Sequence, residues 1–284
     1  MDSRACDPDG LQDFRRMPAG FGPTAGPRNL PARVEHLRYA GERTSVIGTA
    51  WTDPHALARL LPPRLRLDGE ARLSVSVQEL RNLGWLAGRG YQLVMVSIPA
   101  VFEGERTTLA GKFVAAVWEN LTEPIITGRE EIGYPKMYSD IRGPSRVDDG
   151  YACDASWQGH RFFDLRIRDL HPAANPPSGG PVLVRRYLPR AFQAGAEVDQ
   201  ILAVGSDLPG GRRAAPDGRP PELAVKSCET GNITFAFHRA RWEDMPTQYH
   251  VVNALAELPL HEFEAGLALE QSGQDDLSTA HELG

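Results

Sequence analysis

The chain has 284 residues, 31 of them Lys or Arg and 37 Asp or Glu, giving a formal net charge of −6 with 41% hydrophobic and 24% charged residues. That balance belongs to a folded globular chain long enough to bury a core without covalent staples. A net negative chain with no basic run or basic–aromatic stripe is not expected to bind nucleic acid.

Residues 1–36 are rich in Pro, Gly and Asp and lack apolar periodicity, so they read as an extended or poorly ordered arm, placed to wrap a neighbouring subunit. The opening MDSRACDPDG lacks the basic-then-apolar order of a secretory signal. Three widely spaced cysteines, Cys6, Cys153 and Cys228, form no CxxC pair. An odd, scattered set argues against a disulfide framework or a cysteine metal knuckle and for a reducing, cytoplasmic setting.

From Thr44 to Trp51 the β-branched content predicts a strand. Asp53-Pro54 then supplies a cap and a first-turn proline for the short helix HALARLL, which Pro62-Pro63 ends. Arg72–Leu80 alternates, with Leu73, Val75 and Val77 on one face of a half-buried strand. Tyr91–Phe102 and Thr108–Trp118 predict two more strands joined by a hairpin at EGER. The first of these is the most apolar run, but it is well short of the roughly 20 residues that cross a bilayer, so no membrane span is expected. Thr122–Gly133 predicts a short helix with Thr122 as cap, Pro124 in the first turn and Gly133 at the end. Strands follow at 160–170, 181–188, 200–208 and 231–242, separated by loops at 171–181 and 208–221. Many strands, few short helices and no βαβ alternation predict a mostly β (α+β) protein. The expected architecture is an antiparallel sheet curled into a cone or barrel with a few peripheral helices.

Nucleotide, phosphate-cradling and serine-hydrolase signatures are missing, and the eight histidines are scattered without a ligand pair. No metal site is expected. The basic residues include only three lysines, Lys112, Lys136 and Lys226. A lysine retained in an arginine-rich chain draws interest because its amine can deprotonate and attack a carbonyl, whereas guanidinium stays charged. On local grounds Lys136 also reads as a solvated lysine after a helix, and Arg43 as a surface arginine.

The stretch Gly128-Arg-Glu-Glu-Ile-Gly-Tyr-Pro-Lys136 resembles the active-site segment of the acetoacetate decarboxylase family, G-R-E, three residues, then Y-P-K. Arg43 lies ten residues before Asp53, the interval at which that family places an active-site arginine. DPHALARLLPP and the ALAELP of residues 254–259 are further landmarks, so the resemblance extends over roughly residues 38–265 and leaves the first 36 outside. It implies one domain at 37–270, flanked by the arm and a polar tail at 271–284, assembled as a homo-oligomer.

The resemblance also implies that Lys136 forms an imine with a small β-keto or oxo acid. Its positive nitrogen then accepts the electron pair released on bond cleavage, with no dissociable cofactor. Arg43 would hold the substrate carboxylate. A free lysine titrates near 10.4, so the site must favour the neutral amine by burial or a neighbouring cation. Two features depart from the family pattern. Met137 stands where a second lysine is usual, and LSVSVQEL and NLGWLAGRG offer no carboxylate in register, Glu79 being the nearest. Two alternatives therefore stay open: aldolase–dehydratase-type imine chemistry, with Tyr249 or His250 as acid or base, and a non-catalytic small-molecule binding protein. Arg129 and Glu130 read as structural members of the motif.

Overall fold

The computed structural model describes residues 10–31, 41–105, 107–174, 180–205, 224–273 and 280–283. Its strands are β1 (Glu42–Trp51), β2 (Leu65–Leu67), β3 (Arg72–Leu83), β4 (Arg89–Glu103), β5 (Thr108–Glu119), β6 (Lys136–Tyr138) and β7 (Asp140–Val147). The second half adds β8 (Gly150–Trp157), β9 (His160–Pro172), β10 (Val182–Pro189), β11 (Ala196–Val204), β12 (Ala224–Phe237), β13 (Gly266–Ser272) and β14 (Ala280–Glu282). Three short α-helices, α1 (Pro54–Ala58), α2 (Thr122–Thr127) and α3 (Tyr249–Ala256), lie between them.

All strands join one sheet in the order β14-β11-β10-β5-β4-β3-β1-β13-β12-β9-β8-β7, with β2 beside β4 and β6 beside β5. The pairing is antiparallel except for β5 with β6 and β5 with β10. The two ends of the order do not pair among the described residues. Instead β7, at one end, packs back over β1, β3 and β4, so the sheet rolls around a core without closing. Strand twist accumulates over so many strands, and rolling is how a large sheet buries one whole face.

Alternation decides which side chains enter that core. Val46 and Ala50 of β1, Leu73, Val75 and Val77 of β3, and Val94 and Val96 of β4 are all fully buried in one cluster with Trp118, Phe162 and Phe163. Leu57 of α1 and Val252 and Leu255 of α3 plug it from outside the sheet. Gly48 sits where a Cβ would stand 2.9 Å from Ile233 and 3.1 Å from Phe235, so the absent side chain lets β1 lie against these residues of β12. Trp118 donates from Nε1 to Gln248 Oε1 at 2.8 Å, which satisfies the indole inside an apolar core.

The expected helix at the DPHALARLLPP segment is capped as the sequence suggests, Asp53 Oδ1 accepting from Ala56 N at 2.7 Å, but it is only one turn and a half. Several elements differ from expectation. The helix after β5 is α-helical only to Thr127, its cap position is Leu121 rather than Thr122, and Gly128–Ile132 forms a π turn. The strand expected at 231–242 starts earlier and ends at Phe237, while that expected at 200–208 is β11, ending at Val204. β9 runs through Pro172 into the expected loop, and the 208–221 loop lies outside the described residues. β14 falls in the stretch read as a polar tail yet pairs with β11.

The arm also differs from a loose tether in its described part, residues 10–31. Asn29 is buried and donates from Nδ2 to Gln12 O and Thr24 O, tying the arm to itself. Arg16 then reaches Thr127 Oγ1 and Glu131, and Arg28 lies 3.7 Å from the same carboxylate. The arm thus docks on the segment of its own chain that leads into Lys136.

Candidate active site

The G-R-E…Y-P-K segment is a compact device for presenting one lysine. Gly128 ends α2, and the amides of Gly133 and Tyr134 both return to its carbonyl, at 2.8 and 3.0 Å. This wide loop of backbone is the π turn, a form enriched at functional sites. A Cβ on Gly128 would stand 2.5 Å from Cε of Lys136, so glycine here makes room for the lysine stem. Gly133 has φ +91°, the left-handed region that glycine tolerates, and its missing side chain admits Arg186 of β10. Arg186 donates to the carbonyl of Glu130 at 2.8 Å, and Arg129 donates to the carbonyl of Lys136 at 2.8 Å. Arg129 therefore holds backbone through its side chain, whereas Glu130 contributes its main-chain carbonyl.

After Pro135, whose carbonyl accepts from Val117 N at 3.1 Å, Lys136 enters β6 directly beside Val117. Only 13% of its side chain is exposed. Nζ lies 2.8 Å from Oε1 of Glu119, 3.1 Å from the carbonyl of Pro124 and 5.5 Å from the centroid of the Tyr134 ring. Glu119 ends the apolar run of β5 and is completely buried. Its contact with the amine is a close ion pair rather than a well-aligned hydrogen bond, and Oε2 has no hydrogen-bond partner among the described residues. Burial pushes the Glu119 carboxyl above the usual carboxylate range, against the opposing pull of the Lys136 ammonium.

Register extends the site across the sheet. Side chains directly opposite one another in adjacent strands share a face. Glu119 is opposite Leu93, Leu93 opposite Gln78, and Gln78 opposite Ser45. The next row, two residues along, is Tyr91, Leu80 and Arg43. Arg43 therefore lies on the Lys136 face but on β1, four strands away from β6 at roughly 4.8 Å per strand, so the structure does not bring the two side chains together. Polar side chains lie on the β1 and β3 part of this face, where Ser45 and Ser76 are buried and Gln78 donates to Ser76 Oγ at 2.9 Å, while β4 contributes Leu93 and Tyr91. The opposite face of the same strands is the valine core.

The remaining candidates lie elsewhere. Glu79 alternates to the other face from Gln78 and is engaged by Arg81 and by Gln92. Tyr249 opens α3 and packs against the apolar core that holds Trp118 and Met137, its ring 5.7 Å from that of exposed His250. Met137 follows Lys136 but points to that same core, as alternation requires. Glu119 was missed by sequence reasoning. The available signal was an acidic residue closing FVAAVWE, where periodicity predicts burial on both faces. Among the described residues no group of three His, Cys, Asp or Glu side chains is placed to hold a metal ion, and no helix is long and apolar enough to cross a membrane.

A single rolled sheet carries a mostly buried lysine just after a π turn. Residues 16–265 match the family described as acetoacetate decarboxylase (ADC), and the chain belongs to that family. The match starts at residue 16, so it takes in residues 16–31 of the described arm, which the sequence resemblance had left outside. The fold is similar to that of an acetoacetate decarboxylase, with TM-score 0.62 and 15% identity over 88% of this chain and 91% of the other. It is also similar to an acetoacetate decarboxylase-like enzyme from Sphingomonas wittichii RW1, with TM-score 0.60 and 20% identity over 86% and 92%. A third is the enduracididine biosynthesis enzyme MppR complexed with the condensation product of pyruvate and imidazole 4-carboxaldehyde, with TM-score 0.58 and 15% identity over 87% and 90%. At these identities the likeness concerns the fold. No curated protein matches the chain.

Proposed function

We propose that this protein is a lyase acting on a small β-keto or oxo acid through an imine of Lys136. The observation that carries the reading is the amine itself, mostly enclosed and cradled by Gly128.

The neutral amine adds to the keto carbon, and loss of water leaves an iminium ion. In decarboxylation the bond to the carboxylate breaks, its electron pair passes to the iminium nitrogen as an enamine forms, and CO2 departs. The enamine carbon takes a proton, and water hydrolyses the resulting imine to release the ketone and free lysine. The lysine supplies the electron sink, so the reading needs no dissociable cofactor. We place the protein in the cytoplasm as a homo-oligomer, the latter checked by light scattering in solution.

Carbon–carbon bond formation on the same imine is a second reading. Met137 favours it, since its side chain joins the apolar core and gives no second amine beside Lys136. The condensation product held by MppR, a protein of similar fold, points the same way. Borohydride reduction with acetoacetate or pyruvate, followed by peptide mass analysis, is the test. Label at Lys136 supports imine chemistry, and an unmodified protein at millimolar substrate rejects it in favour of a binding protein. CO2 release from acetoacetate separates decarboxylation from condensation. A Lys136→Arg variant with full turnover would remove the mechanism, because guanidinium forms no imine.

A further inference from the structure

We propose that Glu119 is a catalytic residue that takes the proton from the Lys136 ammonium and returns it to the carbonyl oxygen of the bound substrate. The proposal rests on the imine reading and adds the step that reading lacks, the origin of a neutral amine.

Three observations carry it. Oε1 is 2.8 Å from Nζ, which is the distance of direct proton transfer. The carboxyl is completely buried at the end of β5, where an isolated charge is costly and a proton is welcome. Oε2 is buried without a hydrogen-bond partner among the described residues. A carboxylate buried only to hold the fold would be expected to have both oxygens bonded.

The proton balance closes. The ion pair passes one proton from nitrogen to Oε1, giving amine and carboxylic acid. Nitrogen attacks the keto carbon, the C=O π pair moves to oxygen, and the carboxylic acid protonates that oxygen. The carboxylate then accepts one of the two protons on the attached nitrogen and delivers it to the hydroxyl, which leaves as water as the iminium forms. Glu119 ends ionised, as it began.

The charged or titratable groups around it are few. Lys136 comes from β6, with Tyr134 behind it in the preceding loop. Tyr138, opposite Glu119 on β6, turns its hydroxyl to Asp140 at 3.0 Å. Facing strands β4 and β3 offer Leu93 and Gln78, α2 offers the Pro124 carbonyl, and Arg43 stands further along the face.

The test is the pH profile of borohydride trapping at Lys136 in wild type and Glu119→Gln. In the wild type, trapping falls at low pH as Glu119 is protonated. In Glu119→Gln the amine must lose its proton to solvent, so this limb disappears and trapping climbs toward the titration of an ordinary lysine. At pH 7 the variant is expected to be at least about 100-fold slower. Should that variant fail to fold, Glu119→Ala is assayed with formate, where restoration of trapping supports the role. Either variant reacting at the wild-type rate with the wild-type profile overturns the proposal. An unlabelled wild type overturns the imine reading and this inference with it. A labelled wild type beside an unaffected Glu119→Gln overturns this inference alone.

Discussion

Gly128→Ala separates stability from chemistry more cleanly than any substitution of Lys136 itself. The added Cβ would stand 2.5 Å from Cε, 2.6 Å from Cδ and 2.7 Å from Nζ of Lys136. Carbon contacts settle at about 3.5–4.0 Å, so the lysine end must retreat by about 1 Å. All three atoms belong to the free end of an unbranched chain, and no backbone need move. Gly128 has φ −65° and ψ −37°, which alanine adopts without strain. Overpacking costs about 1 kcal/mol when the neighbour can swing away, and replacing glycine in helical backbone returns about 0.5–1 kcal/mol. Net stability should change by no more than about 1 kcal/mol. A misplacement of about 1 Å at the reacting group, however, costs on the order of 100-fold in rate. The assay is the initial rate of borohydride trapping at Lys136, with chemical denaturation run in parallel. A variant trapped at the wild-type rate would refute the cradle, as would one that loses several kcal/mol, since the lysine would then be unable to yield.

Gln248→Ala strands the buried Nε1 of Trp118 and also removes the donor to Tyr138 O, so denaturant midpoints should report a loss of about 1–3 kcal/mol. Glu131→Gln weakens the hold of both Arg16 and Arg28 and should accelerate proteolytic cutting within residues 10–31. Global stability should change by about 1 kcal/mol, since Arg16 and Glu131 are only 12% and 22% exposed and Gln still accepts a hydrogen bond, and unchanged cutting would show that the arm is held otherwise. Glu119 titrates above the usual carboxylate range because burial outweighs the Lys136 charge. The folded state therefore binds its proton more tightly than the unfolded chain. Stability from this group is full below the ordinary carboxylate pKa and is lost as pH rises through the raised value. Urea unfolding of wild type against Glu119→Gln across acid to neutral pH should show the wild type losing ground as pH rises, and a gap that is flat or widens in its favour would contradict the assignment.

Local rules made much of the sheet legible before any coordinates. Period-2 alternation put Leu73, Val75 and Val77 on one buried face because neighbouring side chains in a strand must diverge, and Asp53-Pro54 marked a helix start because the side chain supplies an acceptor that the first turn lacks. The nine-residue motif fixed attention on Lys136, since its glycines and proline dictate backbone shape within one loop. What lies beside that lysine was a different matter. Glu119 is 17 positions earlier, and the two meet only because β6 pairs in parallel with β5, a register no local pattern encodes. The same pairing decides that Met137 faces the core while Lys136 faces Glu119 on the opposite side of the sheet. Arg43 shares that face through β3 and β4 but lies four strands from β6, whereas Tyr249, close to a landmark in sequence, is carried by α3 onto the apolar core. The arm read as unstructured because its composition has no apolar period, and its described part is ordered instead by Asn29 and by Arg16 and Arg28 meeting Glu131. Composition and spacing determine which segments are strands and which loop carries the amine, because those are short-range steric and burial rules. The carboxyl beside the amine is fixed by strand pairing, since charge and desolvation depend on distance through space.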